Sequence, residues 1–138
     1  MKFRRLLTLL CAPLLATGLA ACASTASTPG GLKGEAQRVA QTVVNLQSDA
    51  TALEAKKICS DDLAAANVAV LDRSPGGCKQ AIEGQLKEID TFETTVESVA
   101  VTGARATARV KSVYAGKKAV SSLSFVRESG QWKISGIS

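Results

Sequence analysis

Residues 104–114, ARATARVKSVY, alternate between small or apolar side chains and polar or charged ones. One side of this stretch carries Ala104, Ala106, Ala108, Val110, Ser112 and Tyr114, and the other carries Arg105, Thr107, Arg109, Lys111 and Val113. A period of two residues is that of a β-strand with one buried face. The stretch therefore predicts a strand in an antiparallel sheet that has one face on the core and the other in solvent.

Similar segments lie on both sides of this strand. The predicted strands cover residues 92–102, 104–114, 119–127 and 131–137, separated by TG at 102–103, AGK at 115–117 and ESG at 128–130. Such short turn sequences favour hairpins between consecutive strands. In the first strand the step from Val96 to Val99 is odd, which predicts a β-bulge near Glu97 and Ser98. The C-terminal half therefore reads as a four-stranded antiparallel meander.

The residues before the sheet follow a helical period instead. From Glu35, apolar residues recur every three or four positions at Ala36, Val39, Ala40, Val43 and Leu46, which predicts an amphipathic helix ending near 47–49. Thr51 and Glu54 predict a capping box for a second helical stretch, and residues 60–62 predict another helix start. After a turn at 74–77, a last helix places Cys78, Ala81, Ile82, Leu86 and Ile89 on one face. The fold class is α+β, with N-terminal helices packed on a curved four-stranded antiparallel meander sheet.

This order of elements, with Cys59-Ser60, a cysteine that opens the last helix and the final hairpin LSFVRESGQWKI, resembles the nuclear-transport-factor-two-like cone fold. It is similar to small secreted or lipid-anchored actinobacterial domains of that fold. The resemblance covers residues 35–138 and implies a fold, because the family includes isomerases, dehydratases, ligand binders and domains of unknown role. Its enzymes use an Asp or His base, or a Tyr and Asp oxyanion pair, inside the cone.

The N-terminus predicts export. MKFRR at 1–5 and the apolar LLTLLCAPLLATGLA at 6–20 have the layout of a signal peptide over residues 1–21. The run is too short and interrupted for a membrane-spanning helix. LAAC at 19–22 resembles the lipobox of bacterial lipoproteins, which implies a diacylglyceryl thioether and acyl chains such as palmitate on Cys22. Residues 22–34 then form a lipidated, flexible tether, and residues 35–138 form a domain on the extracytoplasmic side of the cell membrane.

Composition narrows the classes of partner. The chain has 17 Lys and Arg and 12 Asp and Glu. Loss of Lys2, Arg4 and Arg5 with the signal peptide leaves 14 basic residues and a net charge of +2. Aromatic residues make up 4% of the chain. The chain therefore has few aromatic side chains on which the bases of a nucleic acid could stack. We therefore expect no nucleic-acid partner.

The cysteines predict one disulfide. Of four cysteines, Cys11 lies in the signal peptide and Cys22 is the anchor, which leaves Cys59 and Cys78. An even pair in an exported protein favours a disulfide. A structural zinc site is the alternative, but the chain has no histidine. A redox pair would more typically be C-x-x-C.

Residues that could carry chemistry are few. Asp49, Asp61, Asp62, Asp72 and Asp90 fall in predicted turns or helix starts, where capping explains them. We expect no enzyme, no cofactor and no metal site.

A small apolar pocket between sheet and helices is expected instead. Its predicted residues are Ala106, Ala108, Tyr114, Phe125 and Trp132. The leading hypothesis is a binding or accessory domain for a small apolar ligand or an envelope protein. The alternatives are a small isomerase or dehydratase, or a purely structural module that contacts the envelope or a partner protein. The outer strand face with Arg105, Arg109 and Lys111 is either a contact for anionic lipid headgroups or wall polymers, or a solvated sheet face.

Overall fold

The computed structural model describes residues 31–89, 91–114 and 116–138. Its helical elements are α1 (Gly34–Thr51), α2 (Ala55–Lys57), a π-helical turn (Ile58–Asp62), α3 (Ala65–Leu71) and α4 (Gly77–Leu86). The strands are β1 (Phe92–Thr102), β2 (Arg105–Tyr114), β3 (Lys117–Glu128) and β4 (Gln131–Ile137). The predicted signal peptide and Cys22 lie outside the described residues. The α+β class is confirmed, because helices pack on one four-stranded antiparallel sheet in the order β1-β2-β3-β4.

Two bulges interrupt the regular register of the sheet. The predicted bulge in β1 is confirmed between Val96 and Ser98. A second, which the sequence did not predict, falls in the β3–β4 ladder between Ser124 and Phe125. A bulge bends its strand and increases the local twist, so we expect the sheet to bend at these two positions.

The alternation of β2 is confirmed in its centre and fails at its ends. The side chains of Ala106, Ala108 and Val110 are buried, and those of Thr107 and Arg109 between them are exposed. Ala104 and Tyr114 are exposed, although the sequence pattern placed them on the inner face. The inner face is therefore shorter than predicted, because the helices cover only the middle of the strand.

Helix α1 lies across the inner face of the sheet and continues past its predicted end. Val39 and Val43 are fully buried against the strands. The helix runs through residues 47–49 because their polar side chains have tertiary partners. The Gln47 side-chain amide oxygen, Oε1, accepts hydrogen bonds from the backbone N–H and the hydroxyl of Thr94, both at 2.7 Å. Asp49 forms an ion pair with Lys57 at 3.1 Å.

The predicted capping box at Thr51 and Glu54 is wrong. The Thr51 hydroxyl donates to the Gln47 carbonyl at 2.8 Å, inside α1, and Glu54 starts α2 without a side-chain cap. Leu53 ends α1 in the left-handed region at φ 58°. The Leu53 N–H donates to the Ala50 carbonyl, and the Glu54 N–H donates to the Asp49 carbonyl. This pair of bonds is the Schellman ending, in which glycine is the usual residue.

The main core lies between α1 and the sheet, and it includes one residue that the sequence analysis assigned to the tether. Its buried members are Leu32, Ala36, Val39, Ala40, Val43, Val96, Val99, Ala106, Ala108, Val110, Leu123, Phe125, Trp132 and Ile134. Leu32 is only 5% exposed. Leu32, which lies in the predicted tether, is therefore packed against the domain. Among the described residues, no helix is long and apolar enough to cross a membrane.

Candidate functional site

A cleft of about 330 Å³ opens between the C-terminal half of α1, the π-helical turn, α4 and one end of the sheet. It is lined by Leu46, Ala50, Ile58, Leu63, Asn67, Ile82, Gln85, Leu86, Ile89, Phe92, Leu123, Ile134, Gly136 and Ile137. Its base is a second apolar cluster around Ala50, Ile58 and Leu86. The volume lies at the lower end of the range for small-molecule sites.

The lining of the cleft is almost wholly apolar. None of the described residues that line it carries a charge. Its polar side chains are the amides of Asn67 and Gln85. The Asn67 amide nitrogen donates to the Ile134 carbonyl at 3.0 Å, which fixes the orientation of this side chain. Such a surface favours a neutral apolar molecule that makes one or two hydrogen bonds.

The disulfide predicted from the sequence joins two walls of the cleft. Cys59 of the π-helical turn is bonded to Cys78 of α4, with 6.2 Å between their Cα atoms. The first turn of α4 is also capped, because the Asp72 carboxylate accepts a hydrogen bond from the Cys78 N–H at 2.9 Å. The predicted capping role is therefore confirmed for Asp72. These two contacts fix α4, which contributes Ile82 and Leu86 to the lining.

Residues 58–64, which we call the strap, form one wall of the cleft. The strap lies along the outer edge of β4. Leu63 forms a parallel bridge with Ile134, and the Ala64 N–H donates to the Ile134 carbonyl at 2.9 Å. The buried Lys133 ammonium donates to the carbonyl of Ser60 at 2.9 Å and to that of Asp61. Since Ile58 and Leu63 line the cleft, the position of the strap determines the shape of this wall.

Asp62 lies inside the strap, and the sequence did not predict that its side chain is buried. The predicted helix start at residues 60–62 is wrong, because these residues belong to the π-helical turn. Asp62 is 1% exposed, and its Oδ2 has no hydrogen-bond partner within the described protein. Burial, with smaller contributions from the charges of Asp49 and Asp61, raises the pKa of Asp62 to about 7. A run of serine and two aspartates is typical of exposed caps, so no signal in the sequence marked it as buried.

The five predicted pocket residues do not line the cleft. Ala106, Ala108, Phe125 and Trp132 are packed in the main core, each at most 5% exposed. These four residues belong to the same packed core cluster as Val39 and Val43 of α1, where a pocket was expected. Tyr114 is 40% exposed at the end of β2, where its hydroxyl donates to the Glu88 carbonyl at 3.4 Å. A cleft does lie between helices and sheet, but its sheet wall is formed by Phe92 of β1, Leu123 of β3 and residues 134, 136 and 137 of β4.

Trp132 joins the start of α1 to the sheet. Its indole N–H donates to the Glu35 carboxylate at 2.7 Å, and Arg38 pairs with the same carboxylate group at 2.9 Å. This contact lies at the N-terminal end of α1, whereas Leu46 and Ala50 line the cleft near its C-terminal end. Gly34 and Ala50 are about 24 Å apart along the helix axis at 1.5 Å per residue. The tether therefore enters the domain at the opposite end of α1 from the cleft.

The outer face of the sheet carries paired cations. Glu97 accepts hydrogen bonds from Lys111 at 2.6 Å and from Arg109 at 2.9 Å, and these bonds lower the pKa of Glu97. Arg109 and Lys111 are therefore partly neutralised where they lie. Within the ranges that the structure describes, no group of three or more acidic, cysteine or histidine residues is placed to hold a metal ion.

Comparison with known proteins finds one family model that matches part of the chain. The model of the family described as "Putative lumazine-binding" matches residues 78–136, from the start of α4 almost to the end of β4. One solved chain, whose name begins "Rd1NTF2", is 15% identical, with a TM-score of 0.47. The alignment covers 73% of this chain and 96% of that chain. No curated protein matches. The family match therefore covers less than half of the chain, residues 78–136.

Proposed function

We propose that this chain is a lipid-anchored extracytoplasmic domain that binds a small, neutral, mostly apolar molecule in the cleft. The observation that carries the proposal is the cleft itself, with apolar walls from α1, the strap, α4 and the sheet, and no charge among its described lining residues. Pockets of this kind bind ligands through apolar contact and use a few polar groups for orientation. Here the amides of Asn67 and Gln85 would orient the ligand.

The matched family model supports a role in ligand binding, since its description names a ligand. Lumazine itself is a flat heterocycle with several ring nitrogens and carbonyl oxygens. In this cleft most of those polar atoms would lose water without gaining a partner, at a cost of roughly 1–3 kcal/mol for each unsatisfied group. We therefore propose that this member of the fold takes a less polar ligand.

Binding rather than catalysis is proposed on the same grounds. General acid–base chemistry needs an ionisable group within hydrogen-bond reach of the reacting atom. The described lining offers two amides and otherwise apolar side chains. Asp62 is buried in the π-helical turn and is not among the lining residues. An isomerase or dehydratase would need such a group in the cleft.

The lipid anchor is proposed from the LAAC sequence at residues 19–22 and the signal-like stretch before it. Two acyl chains on Cys22 would hold the protein stably at a membrane, whereas one gives marginal binding. Because the tether enters at the far end of α1 from the cleft, membrane attachment would leave the cleft accessible.

The test is a binding titration with a neutral dye. N-phenyl-1-naphthylamine gains fluorescence in apolar surroundings, and we expect saturable binding to the purified domain. Ala50 is buried in α1 and lines the cleft, so Ala50→Leu should fill part of the cleft and weaken binding at least about tenfold. The matched control is Ala66→Leu, at an exposed alanine of α3, which should bind as the wild type does.

Equal affinity of the wild type and Ala50→Leu, with both proteins folded, would show that the dye binds elsewhere. An absence of saturable binding, tested also with dodecanol as a competitor, would contradict a ligand-binding cleft. Dodecanoate is the charged counterpart of dodecanol. It should compete less well, because ionised carboxylates are costly to place in an apolar site.

A further inference from the structure

Asp62 is a buried acid whose surroundings do not satisfy a negative charge. The side chain is 1% exposed, and Oδ2 lacks a hydrogen-bond partner among the described residues. It closes the π-helical turn, where the Leu63 N–H donates to the Ile58 carbonyl at 3.0 Å. An ionised carboxylate without partners is expensive to bury, whereas a neutral carboxyl group is far less so.

Four charged groups act on the carboxyl group of Asp62, and they come from α1, the strap, β4 and α2. Asp49 of α1 and Asp61 of the strap disfavour its charge, and Lys133 of β4 and Lys57 of α2 favour it. Neither lysine forms an ion pair with Asp62. Lys57 bonds to Asp49 at 3.1 Å, and the Lys133 ammonium is held by the carbonyls of Ser60 and Asp61. The two lysines that favour the charge of Asp62 are therefore committed to other partners.

We propose that Asp62 is a proton-sensitive latch: its neutral carboxyl group lets the strap close on β4, and its ionisation loosens the strap. The strap contacts that would loosen are the Leu63 bridge to Ile134 and the bond from the Ala64 N–H to the Ile134 carbonyl. The cleft would respond as well, because Ile58 and Leu63 form one of its walls. The effect on ligand binding in the cleft rests on the proposed function, whereas the closing of the strap does not.

The sign of the pH dependence follows from the direction of the shift. A carboxyl group that holds its proton more tightly in the folded state contributes stability that is complete below pH 4 and is lost as the pH rises to about 7. Between these limits the folding equilibrium constant should fall by up to on the order of a thousandfold, since each pKa unit is a factor of ten. Above pH 7 the strap should open without global unfolding.

The test compares Asp62→Asn with Asp61→Asn in the folded domain. Both variants remove one carboxylate from adjacent positions, but Asp61 is exposed. Urea unfolding from pH 4 to pH 8 should show a falling midpoint for the wild type and Asp61→Asn, and a much flatter profile for Asp62→Asn. Hydrogen-exchange protection of the Leu63 and Ala64 amides should drop at least tenfold between pH 5.5 and pH 8 in the wild type, relative to amides of β2. This drop should be absent in Asp62→Asn.

A second variant keeps the proposal testable if Asp62→Asn does not fold. Lys57 is more than half exposed, so Lys57→Met should fold, and the loss of its charge should move the opening of the strap to a higher pH. Parallel pH profiles for the wild type and Asp62→Asn, or an unshifted transition in Lys57→Met, would overturn the latch.

The dye titration separates this proposal from the proposed function. If the strap amides respond to pH through Asp62 and no dye binds, the latch stands and the binding function fails. If the dye binds, its dissociation constant should rise between pH 5.5 and pH 8 in the wild type and stay constant in Asp62→Asn. Binding that is independent of pH while the strap opens would overturn the link between latch and cleft.

Discussion

Removal of the Cys59–Cys78 disulfide should destabilise the domain by about 3 kcal/mol. The two cysteines are 19 residues apart, and a loop of this size loses about 11 cal/mol/K of unfolded-state entropy when it is closed. The double variant Cys59→Ala/Cys78→Ala opens the loop and leaves two small apolar side chains. Since whole domains are stable by about 5–15 kcal/mol, this loss should be large but should leave the variant folded.

Urea unfolding of the oxidised wild type and of the double variant measures the difference, with intact mass to confirm that the wild type is oxidised. The slope against urea should change little, because a similar surface is exposed in both proteins. The reduced wild type is the matched control and should resemble the double variant. A loss below about 1 kcal/mol would mean that α4 is held to the strap without the disulfide. It would also show that the entropy argument does not apply here.

Three further predictions concern other parts of the chain. Leu53→Gly should stabilise the domain by about 1 kcal/mol in urea unfolding, since the left-handed conformation costs a residue with a side chain about 1–2 kcal/mol. Leu53 is exposed, so little packing is lost. Any destabilisation would show that the backbone at Leu53 is not strained. Trp132→Phe should cost about 2 kcal/mol by removing the bond to the Glu35 carboxylate, and Glu35→Gln, which keeps an acceptor, should cost less. Cys22→Ala should abolish lipid modification and membrane retention, as measured by intact mass and fractionation; an unchanged lipidated mass would refute the anchor.

The sheet could be predicted from the sequence because its determinants are local. Alternation in residues 104–114, glycine-containing turns and the odd step from Val96 to Val99 specify strands, hairpins and the first bulge. The second bulge was missed because Ser124 and Phe125 show no break in pattern; it arises from how β4 pairs with β3. The disulfide was predictable by counting cysteines.

The site could not be predicted, because its residues come from distant parts of the chain. Asp49 and Asp62 look like capping residues in sequence, yet tertiary contacts bury both. The alanines of β2 suggested empty space, but they allow α1 to approach the sheet closely instead. One signal was available: the apolar face of the last helix, with Ile82, Leu86 and Ile89, was recognised in the sequence and forms part of the cleft.

Methyl NMR of the domain titrated with dodecanol tests the apolar cleft most directly. We expect saturable shift changes in methyl groups of Ile58, Ile82 and Leu86, which line the cleft. The methyl groups of Ala106 and Ala108, buried in the main core, should stay unchanged. Saturable changes at those two alanines with none in the cleft, or no saturable change at any methyl group, would contradict ligand binding in the cleft.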